Sequence, residues 1–221
     1  MEKEALIYPS ILSADFLHLA SSMSAVIKAG IKTIHYDIMD GLFVRDISFG
    51  EKLFKVLYDR YHKKLNFDIH LMTEEPYRHI RQLLALGGSD FTFHYENTIN
   101  KLQEVNKLRD EYPYIKLGIA ISPETDVSRI LGLANNFDNV LVMSVVPGAS
   151  GQSFIPQSLE KIKRLALLRK ETSASFKIGV DGGINDKTAL PCIEAGADYL
   201  VTGSYFFAAD DKEAALKRLV K

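Results

Sequence analysis

The chain has 221 residues, of which 47% are hydrophobic and 25% are charged, a composition typical of a globular protein with one large domain or two small ones. Its 27 basic and 28 acidic side chains give a net charge of −1, which argues against a nucleic acid or an anionic membrane as partner, because both select a basic excess. No apolar run reaches the roughly 18 residues of a membrane span.

The N-terminal sequence and the cysteine content both predict a cytoplasmic protein. MEKEALIYPS lacks the charged and then apolar pattern of a signal peptide. The single cysteine, Cys192, excludes an internal disulfide and fits a reducing compartment. Because Cys192 lies in a helix-like stretch, we expect a small buried side chain rather than a reactive thiol.

Short apolar runs alternate with stretches of helical periodicity along the whole chain. The runs predict eight strands, at residues 6–12, 33–39, 66–72, 90–96, 116–121, 139–145, 176–181 and 198–203. Helical patterns lie between them, and glycines in IKAG, LALGG and IEAGA mark expected helix ends. Strands that alternate with helices pair in parallel through crossovers.

Two α/β architectures accept this order of elements. A doubly wound open sheet is one, but eight strands in 221 residues fit a closed barrel better, and no G-x-G-x-x-G follows the first strand. We therefore predict an α/β protein with a (β/α)8 TIM barrel fold, formed by one domain over residues 1–221. In such barrels the active site lies at the carboxyl ends of the strands.

Polar residues cluster near those strand ends. Residues two apart share a face of a strand, and the sets with a common face are His35, Asp37 and Met39; Asp68, His70 and Met72; Thr92, His94 and Glu96; and Asp181 with Lys177 and Gly179. The remaining histidines, His18, His62 and His79, are expected at the surface. Burying imidazoles and carboxylates without partners costs several kcal/mol. Two imidazoles and two carboxylates in one barrel mouth indicate a divalent metal site, with a simple polar network as the alternative.

Glycine-rich loops follow the last three predicted strands, at residues 145–154, 180–185 and 201–206. Glycine lets backbone N–H groups approach an anion closely, and phosphate sites in these barrels recur after the seventh and eighth strands. The loops together predict a phosphate site. The first of them is long enough to act as a mobile lid, with an ordinary connecting loop as the alternative.

A metal, two carboxylates and a phosphate site suit proton transfer next to the carbonyl of a sugar phosphate. The metal would polarise the carbonyl and stabilise an enediolate, while a carboxylate takes the adjacent proton. With a carboxylate on each face of the carbon, a proton removed from one side can be returned to the other. The product is then the epimer.

Seven segments closely resemble the ribulose-phosphate 3-epimerase family, in order and over essentially the whole chain. They are PSILSADF (9–16), HYDIMDGLFV (35–44), DIHLM (68–72), FHYE (93–96), MSVVPGASGQSFI (143–155), VDGGIN (180–185) and GSYFF (203–207). The resemblance implies a metal-dependent (β/α)8 barrel that interconverts D-ribulose 5-phosphate and D-xylulose 5-phosphate in the pentose phosphate pathway. It also implies a homo-oligomer, either a dimer or a hexamer.

The resemblance also implies roles for individual residues. The divalent metal, which is Zn, Fe, Mn or Co in the family, would be bound by His35, Asp37, His70 and Asp181. Asp37 and Asp181 would be the acid/base pair on opposite faces of C3. Residues that would contact the substrate, its phosphate or the closing loop are Ser10, Met39, His70, Met72, Met143, Gly148, Ala149, Ser150, Gly151, Gly182, Gly183, Gly203 and Ser204.

Three departures from the family pattern lie around the expected substrate position. The family usually has Pro-Asn where this chain has Arg45-Asp46, N-P-G-F-G-G-Q where it has VPGASGQ, and Asn-Pro where it has Ser122-Pro123. The substituted loop residues are Val146, Ala149 and Ser150. Losing the loop phenylalanine removes apolar cover, so the lid would seal less well or leave room for a larger sugar. Arg45 is expected to be an exposed loop charge.

Three other functions compete with the pentulose phosphate epimerase. The departures favour testing a hexulose 6-phosphate such as D-allulose 6-phosphate. A non-catalytic paralogue that binds a sugar phosphate would need no acid/base pair, so the two carboxylates argue against it. A barrel lyase or decarboxylase would usually need a lysine at the reacting carbon, and Lys177 lies too early in its strand to serve.

Overall fold

Eight parallel strands follow one another along the chain, and each is connected to the next through a helical segment. The computed structural model describes residues 5–220, so the predicted domain limits at residues 1–4 and 221 lie outside the described part. The strands are β1 Leu6–Pro9, β2 Thr33–Met39, β3 Asn66–Met72, β4 Asp90–His94, β5 Lys116–Ile121, β6 Asn139–Met143, β7 Lys177–Asp181 and β8 Tyr199–Thr202.

Helices of very different length lie between the strands. The α-helices are α1 Leu19–Lys28, α2 Glu51–Tyr61, α3 Pro76–Leu84, α4 Tyr95–Thr98, α5 Leu102–Glu111, α6 Ser128–Leu131, α7 Ser158–Thr172, α8 Ala189–Ala195, α9 Ser204–Ala208 and α10 Lys212–Leu219. Short 3₁₀ turns cover Ile11–Ser13, Phe16–His18, Ile99–Lys101 and Ala134–Asn136. None of the helices described is long and apolar enough to cross a membrane.

The strands form one sheet that closes on itself. Its order is β1-β8-β7-β6-β5-β4-β3-β2, with every pair parallel. The two end strands meet through an isolated parallel bridge between Ser10 and His35, so the seam of the barrel runs beside the predicted metal site. The closed order confirms the predicted barrel and excludes the doubly wound open sheet.

Four strands end earlier than the sequence predicts, namely β1, β4, β6 and β8, and the endings of β1 and β4 each have a local cause. β1 stops at Pro9, because Ser10 begins a 3₁₀ turn and its Oγ accepts a hydrogen bond from the backbone N–H of Leu12. β4 stops at His94, and the chain turns directly into α4. Glu96 therefore lies on a helical turn rather than on the strand face with His94, which corrects the prediction.

The main apolar core lies between the outer face of the strands and the helices, where alternate residues such as Ile34, Tyr36 and Ile38 of β2 are buried. The barrel interior is divided. Its apolar part includes Leu141 and Tyr199, whereas the side between β2 and β4 carries buried polar residues such as His35, His70 and His94. The polar side of the interior is therefore the part that can carry chemistry.

Cys192 lies in α8 and is fully buried. Burial raises the pKa of its thiol to about 12, so the thiolate is absent at neutral pH. Cys192 therefore has the structural environment predicted for it.

Candidate active site

The four residues predicted to bind a metal converge at the carboxyl ends of β2, β3 and β7. Parallel pairing sets Asp37 directly beside His70, and β7 brings Asp181 to the same point of the barrel. One ligand atom from each of His35, Asp37, His70 and Asp181 lies within 4.8 Å of all the others. The two histidines are fully buried, Asp37 is nearly so, and Asp181 keeps 15% of its side chain exposed.

The distances between these atoms fit one shared cation. Nε2 of His35 and Nδ1 of His70 lie 3.3 Å apart, and each lies 3.6 Å from Oδ2 of Asp181. Oδ1 of Asp37 is 3.1 Å and 3.0 Å from the same two nitrogens. Ligands held tetrahedrally at about 2.0–2.2 Å from a zinc-sized ion lie roughly 3.2–3.6 Å from one another. Two imidazoles and two carboxylates also have the donor chemistry of a borderline divalent metal.

Hydrogen bonds on the far sides of the imidazoles leave the right nitrogens for a cation. Nδ1 of His35 is 2.7 Å from Oδ2 of Asp68, so it donates its proton to that carboxylate and Nε2 faces the site. Nε2 of His70 is 2.9 Å from Nε2 of His94, and Nδ1 of His70 faces the site. A carboxylate behind a ligating histidine is the usual support of a protein metal site.

The two carboxyl groups differ in proton affinity. Burial opposes ionisation of Asp37, but His35 and His70 outweigh it and lower the pKa of Asp37. Burial raises the pKa of Asp181 to about 7, where attraction to His35 is offset by the charge of Asp37. Burial also disfavours the charged form of His35, yet Asp37 and Asp68 raise its pKa well above the usual value. Carboxyl groups with such separated pKa values suit an acid and a base.

An open cavity of about 470 Å³ lies directly above these residues. Asp37 and Asp181 line its floor together with the thioether side chains of Met39, Met72 and Met143, as predicted. At one side Ser10 donates a hydrogen bond from Oγ to Oδ2 of Asp37, over 2.5 Å. His70 lies beneath this floor and does not line the cavity. Its position therefore does not support the direct substrate contact that the sequence predicts for it.

The cavity wall is formed by the three glycine-rich loops. All of the phosphate and lid residues predicted from the sequence line it, namely Gly148, Ala149, Ser150, Gly151, Gly182, Gly183, Gly203 and Ser204. An added Cβ on Gly183 would meet the backbone of Phe154 at 2.6 Å, so glycine allows the second loop to approach the first. The backbone of α9 begins at Ser204, on this same wall.

Three further polar residues adjoin the site, and the strand pattern groups them with its residues but predicts no role for them. Asp68 faces His35 across the β2–β3 pair, and His94 and Glu96 continue the contacts of His70 away from the cavity. Alternation groups Asp68 with His70 on one strand face, and this was the signal available. What alternation lacks is the sideways register that joins Asp68 to His35.

The departures from the family pattern lie together beside the mouth. Arg45, Asp46, Ser122, Val146 and Ala149 line one recess of about 460 Å³, and the side chain of Arg45 is exposed as expected. Ser150 belongs to the main cavity instead. Lys177 begins β7 at the opposite end of the barrel and is exposed, so it cannot reach a reacting carbon in the mouth.

Comparison with solved structures agrees with the barrel fold. The 3-keto-L-gulonate-6-phosphate decarboxylase of Vibrio cholerae superimposes with a TM-score of 0.69 over 98% of this chain and 95% of its own, at 11% identity. At that identity the likeness concerns the fold alone.

Sequence comparison is more specific. The ribulose-phosphate 3-epimerase of Treponema pallidum is 36% identical over 208 residues, which cover 94% of each chain. The ribulose-phosphate 3-epimerase of Schizosaccharomyces pombe is 36% identical over 217 residues, covering 98% of this chain and 92% of its own. The sequence model of the ribulose-phosphate 3-epimerase family matches residues 6–207. The chain therefore belongs to the ribulose-phosphate 3-epimerase family, a family of isomerases.

Proposed function

We propose that this protein interconverts D-ribulose 5-phosphate and D-xylulose 5-phosphate by inverting C3 in the barrel mouth. One observation supports this most directly: Asp37 and Asp181 reach the floor of one cavity from different strands, beside two imidazoles and below a wall of glycine-rich loops. The names of the relatives give the same reaction. A site that only bound a sugar phosphate would need neither buried carboxylate.

The reaction requires a proton to leave C3 on one side and to return on the other. Asp37 lies on β2 and Asp181 on β7, with β1 and β8 between them, so the two carboxyl groups approach a substrate from different directions. In one direction Asp37 takes the proton and Asp181 donates one; the roles exchange in the reverse direction. Ser10 holds Asp37 in place through its hydrogen bond. Met39, Met72 and Met143 keep water away from the planar intermediate.

His35, Asp37, His70 and Asp181 would hold the divalent cation. When bound, this cation would act as a Lewis acid that polarises the substrate carbonyl and stabilises the negative charge left by the departing proton. The donor set suits zinc, iron, manganese or cobalt. The phosphate would lie against the loops at 180–185 and 201–206, where glycines let backbone N–H groups approach an anion closely.

The decisive experiment follows hydrogen at C3 in deuterium oxide. Purified, zinc-loaded protein is expected to interconvert the two pentulose phosphates and to incorporate one solvent deuterium at C3 of the product. Chelation should abolish both effects, and added zinc should restore them. Absence of C3 exchange in either pentulose phosphate, in protein with bound metal, would contradict the proposal.

The recess lined by the departures favours testing a six-carbon substrate as a second candidate. A recess of about 460 Å³ beside the mouth would accept an additional hydroxymethyl group. Relative kcat/KM on D-ribulose 5-phosphate and D-allulose 6-phosphate separates the two candidates. A higher value for the pentulose phosphate is expected, because the relatives are named as ribulose-phosphate 3-epimerases.

A further inference from the structure

A chain of hydrogen bonds runs from the proposed metal site through two buried imidazoles to a carboxylate. Nε2 of His70 and Nε2 of His94 are 2.9 Å apart, and Nδ1 of His94 lies 3.1 Å from Oε2 of Glu96. Both imidazoles are fully buried, and their ring centroids are 5.0 Å apart. The proposed function uses His70 as a ligand but leaves His94 and Glu96 without a role.

The far end of the chain is anchored in the loop after β5. Oε1 of Glu96 accepts a hydrogen bond from the backbone N–H of Ser122, over 2.8 Å, and another from the hydroxyl of Thr125. Nζ of Lys161, on α7, holds the same loop by donating to the carbonyl oxygens of Ser122, Pro123 and Thr125, at 2.6–2.9 Å. Because a backbone N–H can only donate, the atom of residue 96 that faces Ser122 must be an acceptor.

The anchored carboxylate fixes the positions of two protons. A neutral imidazole carries one N–H, and a carboxylate only accepts. Nδ1 of His94 must therefore donate to Glu96, which leaves Nε2 of His94 as an acceptor. Nε2 of His70 then carries the proton, and Nδ1 of His70 presents its lone pair to the cavity floor.

Asp37 competes for the same proton but has another donor. Its Oδ1 lies 3.0 Å from Nδ1 of His70, whereas its Oδ2 accepts a hydrogen bond from Ser10 over 2.5 Å. Nδ1 of His94, 3.1 Å away, is the donor to Oε2 of Glu96. The proton balance therefore favours the Glu96 end of the chain.

We propose that Glu96 is a positioning residue, which acts through His94 to keep Nδ1 of His70 free of a proton and ready to bind a cation. The cation in this statement rests on the proposed function, whereas the proton position on His70 does not. The loop after β5 then serves to hold Glu96 in place. The family pattern has asparagine where this chain has Ser122. Because the backbone N–H of Ser122 makes the contact with Glu96, this difference leaves the chain of hydrogen bonds intact.

The test is the Glu96→Gln variant, which is nearly isosteric but should reverse the chain. The backbone N–H of Ser122 requires the amide oxygen of glutamine, so its NH2 group must face Nδ1 of His94. His94 would then donate from Nε2, and His70 would carry its proton on Nδ1, where it blocks the cation. Glu51→Gln is the matched control, since Oε1 of Glu51 lies 2.7 Å from Nδ1 of His79, away from the site.

Two readouts decide the matter. Long-range ¹H–¹⁵N NMR of the metal-free protein at pH 8 should show the Nε2–H form of His70 in wild type and in the control, and the Nδ1–H form in Glu96→Gln. Zinc affinity, measured by competition with a chelator, should fall about 10–100-fold in Glu96→Gln alone. The thermal unfolding midpoint should change by no more than in the control.

The outcomes separate this proposal from the proposed function. An Nδ1–H form of His70 in wild type would contradict the proposed chain of hydrogen bonds, and this measurement needs no variant. Unchanged zinc affinity in folded Glu96→Gln would overturn it as well. If wild type bound no zinc but showed the expected proton positions, the proposed metal site would be wrong, whereas the proposed chain of hydrogen bonds would still be supported. Thr125→Val, which removes one anchor of Glu96, should give a smaller loss of affinity in the same direction.

Discussion

Asp37 and Asp181 differ more in their surroundings than in their chemistry. Asp37 is enclosed by two imidazoles and Ser10. Burial opposes its ionisation, but the two imidazoles hold its pKa low. Asp181 keeps part of its side chain open to the cavity and has a pKa of about 7. The same residue type thus supplies two carboxyl groups of different proton affinity on one cavity floor, which suits proton transfer in both directions.

Replacing each carboxylate in turn should separate the two faces of C3. Asp37→Asn and Asp181→Asn are each expected to lower the epimerisation rate about 10²–10⁴-fold, because each removes one proton-transfer group. The remaining carboxylate should still exchange the C3 proton of one epimer with deuterium oxide, and the two variants should favour opposite epimers. Proton NMR of each pentulose phosphate measures this exchange.

Metal content serves as the control for this prediction, because both carboxylates are also proposed ligands. Loss of metal would slow exchange of both epimers alike, so opposite preferences cannot come from it. Affinity for inorganic phosphate should change little. Equal loss of turnover and phosphate binding in both variants would instead suit a protein that only binds sugar phosphates.

At the scale of the element, β7 depends on a glycine for its position in the barrel. An added Cβ on Gly179 would meet Cζ of Tyr199 at 2.1 Å. Tyr199 is buried and stacked on Tyr8 with ring centroids 4.7 Å apart, so its ring has little room to move. Gly179 lies two residues before Asp181 on β7. Because it has no side chain, the ring of Tyr199 can fill the barrel interior beside it.

Gly179→Ala is expected to destabilise the fold by about 1–3 kcal/mol through overpacking. Gly132→Ala is the matched control, since Gly132 ends α6 at a φ of −74° with no atom near an added Cβ. Urea unfolding of both variants measures the difference. Equal stability of the two would show that Tyr199 moves aside freely.

The loop at 146–154 is braced by one of its own side chains. Nε2 of Gln152 donates to the carbonyl oxygens of Val146 and Ala149, over 2.6 and 2.9 Å. Gly148 and Gly151 have φ values of +120° and +77°, a region that favours glycine. The loop thus gains its shape from backbone turns and one amide, without the apolar cover that the family pattern would provide.

Gln152→Ala should loosen this loop and raise KM for the pentulose phosphate roughly 3–10-fold, which corresponds to about one hydrogen bond. A smaller change in kcat is expected, because the loop lies away from the reacting carbon. Gln157→Ala, an exposed glutamine before α7, is the control. A fall in kcat at unchanged KM would assign Gln152 to the chemistry and not to the shape of the loop.

The strand ends and the candidate site show which structural features can be predicted from the sequence. Alternation and the barrel rule place His35, Asp37 and His70 correctly, because side-chain direction along a strand follows from its period of two. The end of β1 depends on a hydrogen bond from Leu12 to Ser10, and β4 gives way to a helix at Tyr95. Such local competition between strand and turn is invisible to apolar periodicity.

At the scale of the whole molecule, the contacts between elements were the least predictable part. The bond from Asp68 to His35 needs the register of β2 against β3, and the anchor of Glu96 needs a loop 26 residues further along the chain. Neither follows from spacing within one segment. The closed barrel supplies both, because it brings every strand end to one mouth.

Asp90 lies at the opposite end of the barrel with its carboxyl group largely buried. There the burial of a charge lowers the stability of the fold. Asp90 begins β4, and its Oδ1 is buried without a hydrogen-bond partner in the described part of the chain. Nζ of Lys116 is 3.8 Å from its Oδ2. Burial, and then the charge of Asp68, raises the pKa of Asp90 to about 7. Since an unfolded aspartate has a pKa of about 3.9, folding favours the protonated form.

The contribution of Asp90 to the free energy of unfolding should therefore fall as pH rises from about 4 to about 7, and it should stay reduced above that range. Asp90→Asn removes this loss. We expect the variant to be more stable than wild type at pH 8 by on the order of 1–2 kcal/mol, less than the full linkage of about 4 kcal/mol because the side chain is 27% exposed. At pH 4 the advantage should vanish. Urea unfolding at both pH values measures it, with Asp110→Asn on α5 as an exposed control. Parallel pH profiles for wild type and Asp90→Asn would show that water reaches Asp90 well enough to remove the cost of its charge.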